Sequence, residues 1–353
     1  MNRAAAIEGR IEVGRAVPGE PAVPGEPKLP VHSDVAAQRD ASPYPLRSAR
    51  LFERPQAGFF LFASPKSGTT WLQRLLSAHP AVLCTESRAF GDYFHPNPLG
   101  NPHLTLQKYV RILSQYLAPS IDALTPAHHS FYRTLLYNFI DTLAVTSLSA
   151  AHKTIYGEKL TPYRGTAKQA VEIMSEYNPE IKFVHLTRDG RDVIVSGAAQ
   201  WLNLRLNRAP DSDRAGYARA LQERTILEED FAMFLDLWTD AVTAGLEARQ
   251  LFKHHLHLTY EGFIADPLTQ TTRLFQFLEI EPNAALVDAC VEAVSFVKLS
   301  GGRHAGEEDV RSFFRKGTVG DWKNWFTADQ LARFERRAGH LQKELGYAPR
   351  LAA

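Results

Sequence analysis

Phe59-Phe60-Leu61-Phe62-Ala63-Ser64-Pro65-Lys66-Ser67-Gly68-Thr69-Thr70-Trp71-Leu72 decides how this chain folds. A short apolar run stops at Ser-Pro, crosses small polar residues and opens into a helix-compatible stretch. That reads as strand, anion-binding loop and helix start. The first N–H groups of a helix have no partner within it, and its dipole favours negative charge there. Gly68 lets the backbone approach a ligand closely. Ser67, Thr69 and Thr70 add hydroxyl donors, and Lys66 adds a mobile cation. Together they predict a phosphate-type site. The plain alternative is an ordinary strand–turn–helix connection with a solvated lysine. A Walker A loop needs its lysine after the second glycine. Lys66 precedes Gly68, so a triphosphate loop fits poorly.

Two further stretches extend the reading. Ile181 to Ser196 is again an apolar run followed by a helix start, with Arg188 where the strand ends. Ser196 lies about two helical turns further on, on a face that can reach the same ligand. The plain alternative is a buried strand and helix with a surface arginine. Phe314-Arg315-Lys316-Gly317-Thr318-Val319-Gly320-Asp321-Trp322-Lys323-Asn324 packs cations, glycines and a tryptophan too densely for a regular element. It reads as an ordered loop bringing backbone and charge to an anion.

These stretches, in this order, resemble the nucleotide motifs of the sulfotransferases that use 3′-phosphoadenosine 5′-phosphosulfate (PAPS). Pro65–Trp71 is similar to the 5′-phosphosulfate loop, and Arg188 with Ser196 to the pair that holds the 3′-phosphate. Arg315-Lys316-Gly317 resembles the segment that caps that phosphate in the cytosolic-type members. The resemblance implies an α/β, P-loop-like three-layer fold with a central parallel sheet flanked by helices. It also implies that Lys66 binds the bridging oxygen of the leaving phosphate, Thr69 and Thr70 hold the 5′-phosphate, and Trp71 stacks on adenine. Core packing is the alternative for Trp71. Thr259-Tyr260-Glu261 resembles the family's strand end whose Tyr contributes to the nucleotide site. Val294-Ser295-Phe296 lies at a segment that contacts adenine in the family. Val294 departs from that pattern, while Phe296 keeps an aromatic face.

The general base does not follow the cytosolic pattern. The Lys-Thr-His-Leu-Pro segment that carries the family's histidine is missing. Tyr156-Gly157-Glu158-Lys159-Leu160-Thr161-Pro162-Tyr163 instead resembles the Glu-Lys-Thr-Pro-x-Tyr segment of carbohydrate and heparan-type sulfotransferases, whose base is a Glu after the second strand. Glu86 occupies that place here. Lifted in pKa by partial burial, or held near Lys66 and Lys159, it would take the proton, with Lys159 assisting at the transferring group. The alternatives are a merely capping Glu86, or His95, His152 or His185 as base; His185 falls inside a buried strand.

Composition bounds the rest. The chain has 353 residues and a formal net charge of +1, which argues against bulk nucleic-acid binding and makes its cations local devices. Cys84 and Cys290 sit in apolar surroundings and read as buried thiols, too few for a disulfide framework. No stretch is apolar enough to span a membrane, and no hydrophobic signal core opens the chain. With the resemblance, that implies a cytoplasmic enzyme without a metal. Residues 1–50, with Val-Pro-Gly-Glu-Pro repeated at Val17–Pro21 and Val23–Pro27, read as a flexible segment before one domain over 51–350.

Strands are expected through Phe62, at Ala81–Cys84, Ile155–Gly157, Ile181–Leu186 and His255–Leu258. Helices are expected over 70–78, 104–118, 129–148, 166–177, 227–250 and 328–345. The polar stretch 203–224, broken by Pro210, reads as a lid. The acceptor is a small molecule, a lipid or a carbohydrate. Tyr93, Phe94, Tyr109, Phe131 and Trp201 are candidate pocket aromatics, and a homodimer is one of the open oligomeric states. Two other classes compete: a P-loop kinase or hydrolase, which leaves Arg188 and Arg315 without a role, and a non-catalytic nucleotide-binding protein.

Overall fold

The computed structural model describes residues 57–86 and 126–347. The expectations for residues 1–50 and 104–118, and for His95, Tyr93, Phe94 and Tyr109, fall outside them, as does the side chain of Phe131. In chain order the elements are β1 (Ala57–Phe62), α1 (Thr69–Ala78), β2 (Val82–Glu86), α2 (Pro126–Ala151), β3 (Ile155–Leu160), α3 (Ala167–Tyr177), β4 (Lys182–Thr187) and α4 (Gly190–Arg208). Then come α5 (Asp211–Gln222), α6 (Glu228–Glu247), β5 (His254–Thr259), α7 (Tyr260–Ala265), α8 (Pro267–Phe277), α9 (Ala284–Ala293), α10 (Phe296–Ser300) and α11 (Ala328–Glu344). The strands form one parallel sheet of order β2-β3-β1-β4-β5.

β1 is apolar on both faces because both faces are covered, as parallel sheets require. Phe59 and Leu61 pack with Leu72, Leu75 and Leu76 of α1 and Phe275 of α8. Phe60 and Phe62 pack with Ala167, Val171 and Met174 of α3 and Ala241 and Ala244 of α6. Each such phenylalanine contributes about 1.5–3 kcal/mol of burial. The three-layer α/β arrangement is therefore as expected.

Three local expectations change. The stretch 203–224 is not an irregular lid: α4 runs to Arg208, and Pro210 is the N-cap of α5, with Asp211 and Asp213 in its first turn. Proline marks a helix beginning here, and the acidic residues favour that end. The strands after β1 extend further than expected, so Glu86 and Glu158-Lys159 lie inside β2 and β3. On α2 the buried stripe is Ile140, Ala144 and Leu148, one residue on from Phe139 and Leu143, which are exposed.

His185 is fully buried in β4, with ring centres of His257 and His255 at 5.5 and 6.1 Å. Burial first, then the neighbouring histidines, holds His185 well below its ordinary value of 6.5 and His257 at about 4. The unfolded chain therefore takes up protons that the folded one refuses. Stability should be full above pH 6.5 and fall as pH drops from there towards 4. His257→Asn should flatten that slope by on the order of 2 kcal/mol, allowing for the ring's partial exposure. Urea midpoints measured between pH 4 and 7 check this.

Candidate active site

Strand register assembles the site. Lys159 of β3 sits opposite Leu61 of β1 on one side and Glu86 of β2 on the other. On the far side of β1, Thr187 of β4 pairs with Thr259 of β5, so Arg188 and Tyr260 follow side by side. All these residues reach the carboxyl edge of the sheet. There, the chain leaves β1 towards β2 and later returns on β1's other side as β4, the position where open α/β sheets bind ligands. A cavity of about 610 Å³ opens at that edge. It is lined by Lys66, Gly68, Thr69, Thr70, Trp71, Glu86, Lys159, Arg188, Ser196, Tyr260, Phe296, Arg315, Lys316 and Gly317. Of the expected nucleotide-loop residues, Ser67 lies off this wall: it is fully buried and its Oγ has no hydrogen-bond partner among the described residues.

The loop after β1 is shaped by its neighbours. Gly68, the N-cap of α1, holds φ 89°, and a Cβ there would lie 2.5 Å from the Tyr260 ring. Lys66 itself holds φ 70°, a region residues with side chains rarely occupy and one that clusters at functional sites. Among the described residues the start of α1 has no side-chain cap, and its first turn holds no acidic residue, so the N–H groups of a helix end that borders the cavity are left open to a ligand. The Arg188 guanidinium lies 4.5 Å from the Tyr260 ring centre and donates through Nη1 to the Lys66 carbonyl at 3.1 Å.

The distant basic loop is held to this centre by Asp192 on α4. Its two oxygens accept the N–H groups of Gly320 at 2.6 Å and Trp322 at 2.9 Å. Asp321 accepts from Arg315 and Lys316, each at 2.6 Å. Burial opposes the Asp321 charge, yet Lys316, Asn324 and Arg315 hold its carboxyl well below the usual range. Arg303 ties the same loop by donating to the carbonyls of Phe314 and Arg315 at 2.7 and 2.9 Å. Gly317 holds φ 68°, and a Cβ there would lie 2.4 Å from the Phe296 ring, so this close approach requires glycine at 317.

Lys66 points its ammonium at Gln200 Oε1, 2.7 Å away, and over the Phe313 ring, 4.8 Å from its centre. Burial, then the charges of Arg188 and Arg315, push the amine down to about 8. Across the cavity, Lys159 Nζ meets Glu86 Oε1 at 3.0 Å and Thr70 Oγ1 at 3.4 Å. Lys159 is buried, but the Glu86 side chain is 62% exposed. The partial burial expected for Glu86 is therefore not found; Lys159 is its partner. Trp71 lines the cavity while donating Nε1–H to the Val294 carbonyl at 2.9 Å and packing edge-on to Phe263. Val294 thus acts through its backbone. Trp201 lies off the cavity wall, as do His152 and His185. Gln200, Asp192, Arg303 and Phe313 went unsingled in the sequence, because each works through a contact made between distant segments.

The groups suit an anionic nucleotide. Besides the uncapped start of α1, the buried Arg188 Nε has no hydrogen-bond partner among the described residues. Fold and site together define a P-loop-like group-transfer enzyme. Residues 57–346 match the model of the sulfotransferase domain family, and the chain belongs to that family: it is a sulfotransferase, an enzyme of sulfuryl transfer. It is 25% identical over 295 residues to cytosolic sulfotransferase 10 of Arabidopsis thaliana, covering 80% of this chain and 78% of that one. It is 26% identical over 308 residues to flavonol 3-sulfotransferase of Flaveria bidentis, covering 82% and 83%. Among solved structures, the sulfotransferase domain of a Synechococcus olefin synthase shares the fold, with a TM-score of 0.50 at 18% identity over 84% of this chain and 97% of that one.

Two outcomes follow from the geometry. Competitive acylation of Lys66, read by mass spectrometry, should titrate with a midpoint near 8 rather than the ordinary 10.5. Asp192→Asn turns one acceptor into a donor facing an N–H group and should cost about 1–3 kcal/mol. Thermal unfolding should register the loss, and hydrogen exchange should quicken in 317–322.

Proposed function

We propose that this sulfotransferase takes its sulfuryl group from PAPS and passes it to a hydroxyl of a small-molecule acceptor, with Glu86 as general base. One observation carries the reading: two sets of anion-binding groups, Lys66 with the start of α1 and Arg188 with Arg315-Lys316-Gly317, line one cavity. A nucleotide with phosphates at both its 5′ and 3′ positions meets both. The relatives' names, cytosolic and flavonol sulfotransferases, support a small acceptor and a cytoplasmic setting. No helix among the described residues is long and apolar enough to cross a membrane.

Bound PAPS supplies a sulfur whose bond to the phosphate oxygen breaks as the acceptor oxygen attaches on the opposite side. Lys66 meets the negative charge that gathers on the departing oxygen. Thr69, Thr70 and the N–H groups of α1 hold the 5′-phosphate, and Ser67 shapes the turn from beneath. Arg188, Ser196, Arg315, Lys316 and the Gly317 backbone hold the 3′-phosphate. Trp71, Tyr260 and Phe296 offer rings to the adenosine. Glu86 receives the acceptor proton, and Lys159 faces the sulfuryl oxygens while orienting Glu86. Positioning and charge are the chief contributions, as in the related phosphoryl transfers.

The test is transfer from sulfur-labelled PAPS across phenols, sterols, sugars and lipid alcohols. Lys66→Ala should lower kcat/KM by about 10²–10³, and Glu86→Gln by about 10²–10⁴. Lys66→Ala turning over as fast as wild type would overturn the role of the loop. Wild-type rates in Glu86→Gln would move the base elsewhere.

A further inference from the structure

We infer that Gln200 is the positioning residue for Lys66: its amide oxygen fixes where the ammonium stands and keeps it charged inside the cavity. The inference rests on the PAPS reading above. Lys66 has a flexible stem and an unusual backbone conformation, so its backbone alone does not aim the amine. The Gln200 Oε1 contact, at 2.7 Å, is the ammonium's hydrogen bond within the described residues. Gln200 lies one turn beyond Ser196 on α4, and both line the cavity. α4 is rigid here: Val193, Ile194, Val195, Ala198 and Ala199 are buried around them. Lys66 thus takes its position from the same helix that presents Ser196 to the other end of the site.

The electrostatics explain why such an acceptor is needed. The charged groups facing Lys66 from its neighbours are Arg188, beyond β4, and Arg315, on the basic loop, and both oppose a further cation. The Phe313 face, 4.8 Å from the ammonium, offers only a weak attraction. Lys159 and Glu86 stand on the β2–β3 side and are paired with each other. A neutral amide oxygen stabilises the ammonium without cancelling its charge. A carboxylate at this place would hold Lys66 as an ion pair and repel an arriving phosphosulfate. Glutamine is the side chain that keeps the lysine protonated yet available.

The experiment follows the ionisation of Lys66 in Gln200→Leu and Gln200→Glu by competitive acylation and mass spectrometry. Alongside it, adenosine 3′,5′-bisphosphate binding and kcat/KM for PAPS are measured across pH. Loss of a hydrogen bond to a charged group should move the Lys66 midpoint in Gln200→Leu down by about one pH unit and cut kcat/KM about tenfold or more at neutral pH. In Gln200→Glu the midpoint should move above 8, with weaker binding of the bisphosphate. A midpoint that stays near 8 in the variants overturns the inference, whatever happens to activity, because a purely structural role would not move it. If Gln200→Leu does not fold, the upward or absent shift in Gln200→Glu decides alone. Failure of the underlying reading looks different: Lys66→Ala would transfer as fast as wild type, and the inference would fall with it.

Discussion

The whole site depends on keeping Lys66, Arg188 and Arg315 together, out of bulk water, before any anion arrives. Like charges brought together away from bulk water repel one another. Burial first, and then the two arginines, push the Lys66 amine down to about 8. The fold answers with carboxylates set behind the cations rather than in front of them. Asp192 stands 4.0 Å from Arg188, and Asp321 and Glu308 pair with Arg315. The cations are steadied from the rear, and their forward faces line the cavity. A chain with a net charge of only +1 can therefore maintain a locally strong positive site.

The two helices that follow the central strands divide this work. α1 starts with a glycine, no cap and no acid, so its dipole and N–H groups are left for a ligand. α4 begins with Asp189, which accepts the Arg191 N–H, and carries Asp192 in its first turn. Its positive end is already satisfied internally. Asp192 in turn grips Gly320 and Trp322, and so fixes a loop more than a hundred residues further along the chain. Two similar strand–helix units thus do opposite things, one binding and one anchoring, and the difference lies in two aspartates.

Much of this was legible in the chain because the chemistry is local in sequence. Phe59–Trp71 carries its strand, turn and helix start within a few residues, and Arg315-Lys316-Gly317 carries charge and a tight turn together. Lys159 and Glu86 were reachable because strand ends converge at one edge of a parallel sheet. What escaped the sequence is contact between distant segments. Gln200 is an ordinary helical glutamine until Lys66 turns towards it, and Arg303 has no motif at all. The 203–224 stretch misled because proline and polarity signal a break, whereas Pro210 caps α5. Glu86 ends β2 and pairs with Lys159, but its exposure depends on neighbours that its own segment does not encode.

The proposed base is an exposed carboxylate, which raises the question of what its buried partner contributes. On the proposed reading, its pair with Lys159 supplies the answer through the order of charges. Before transfer, Glu86 and Lys159 neutralise one another across 3.0 Å. When Glu86 accepts the acceptor proton, the pair loses its negative partner and the Lys159 charge is released towards the sulfuryl oxygens. Lys159 is buried and also touches Thr70, so it cannot swing away to solvent. Proton removal at one end of the cavity thereby strengthens the positive field where transfer needs it. A histidine base would become cationic at that moment and add its charge beside the acceptor. On that reading the glutamate instead unmasks a lysine, and the register that sets Glu86 of β2 opposite Lys159 of β3 keeps the two within reach.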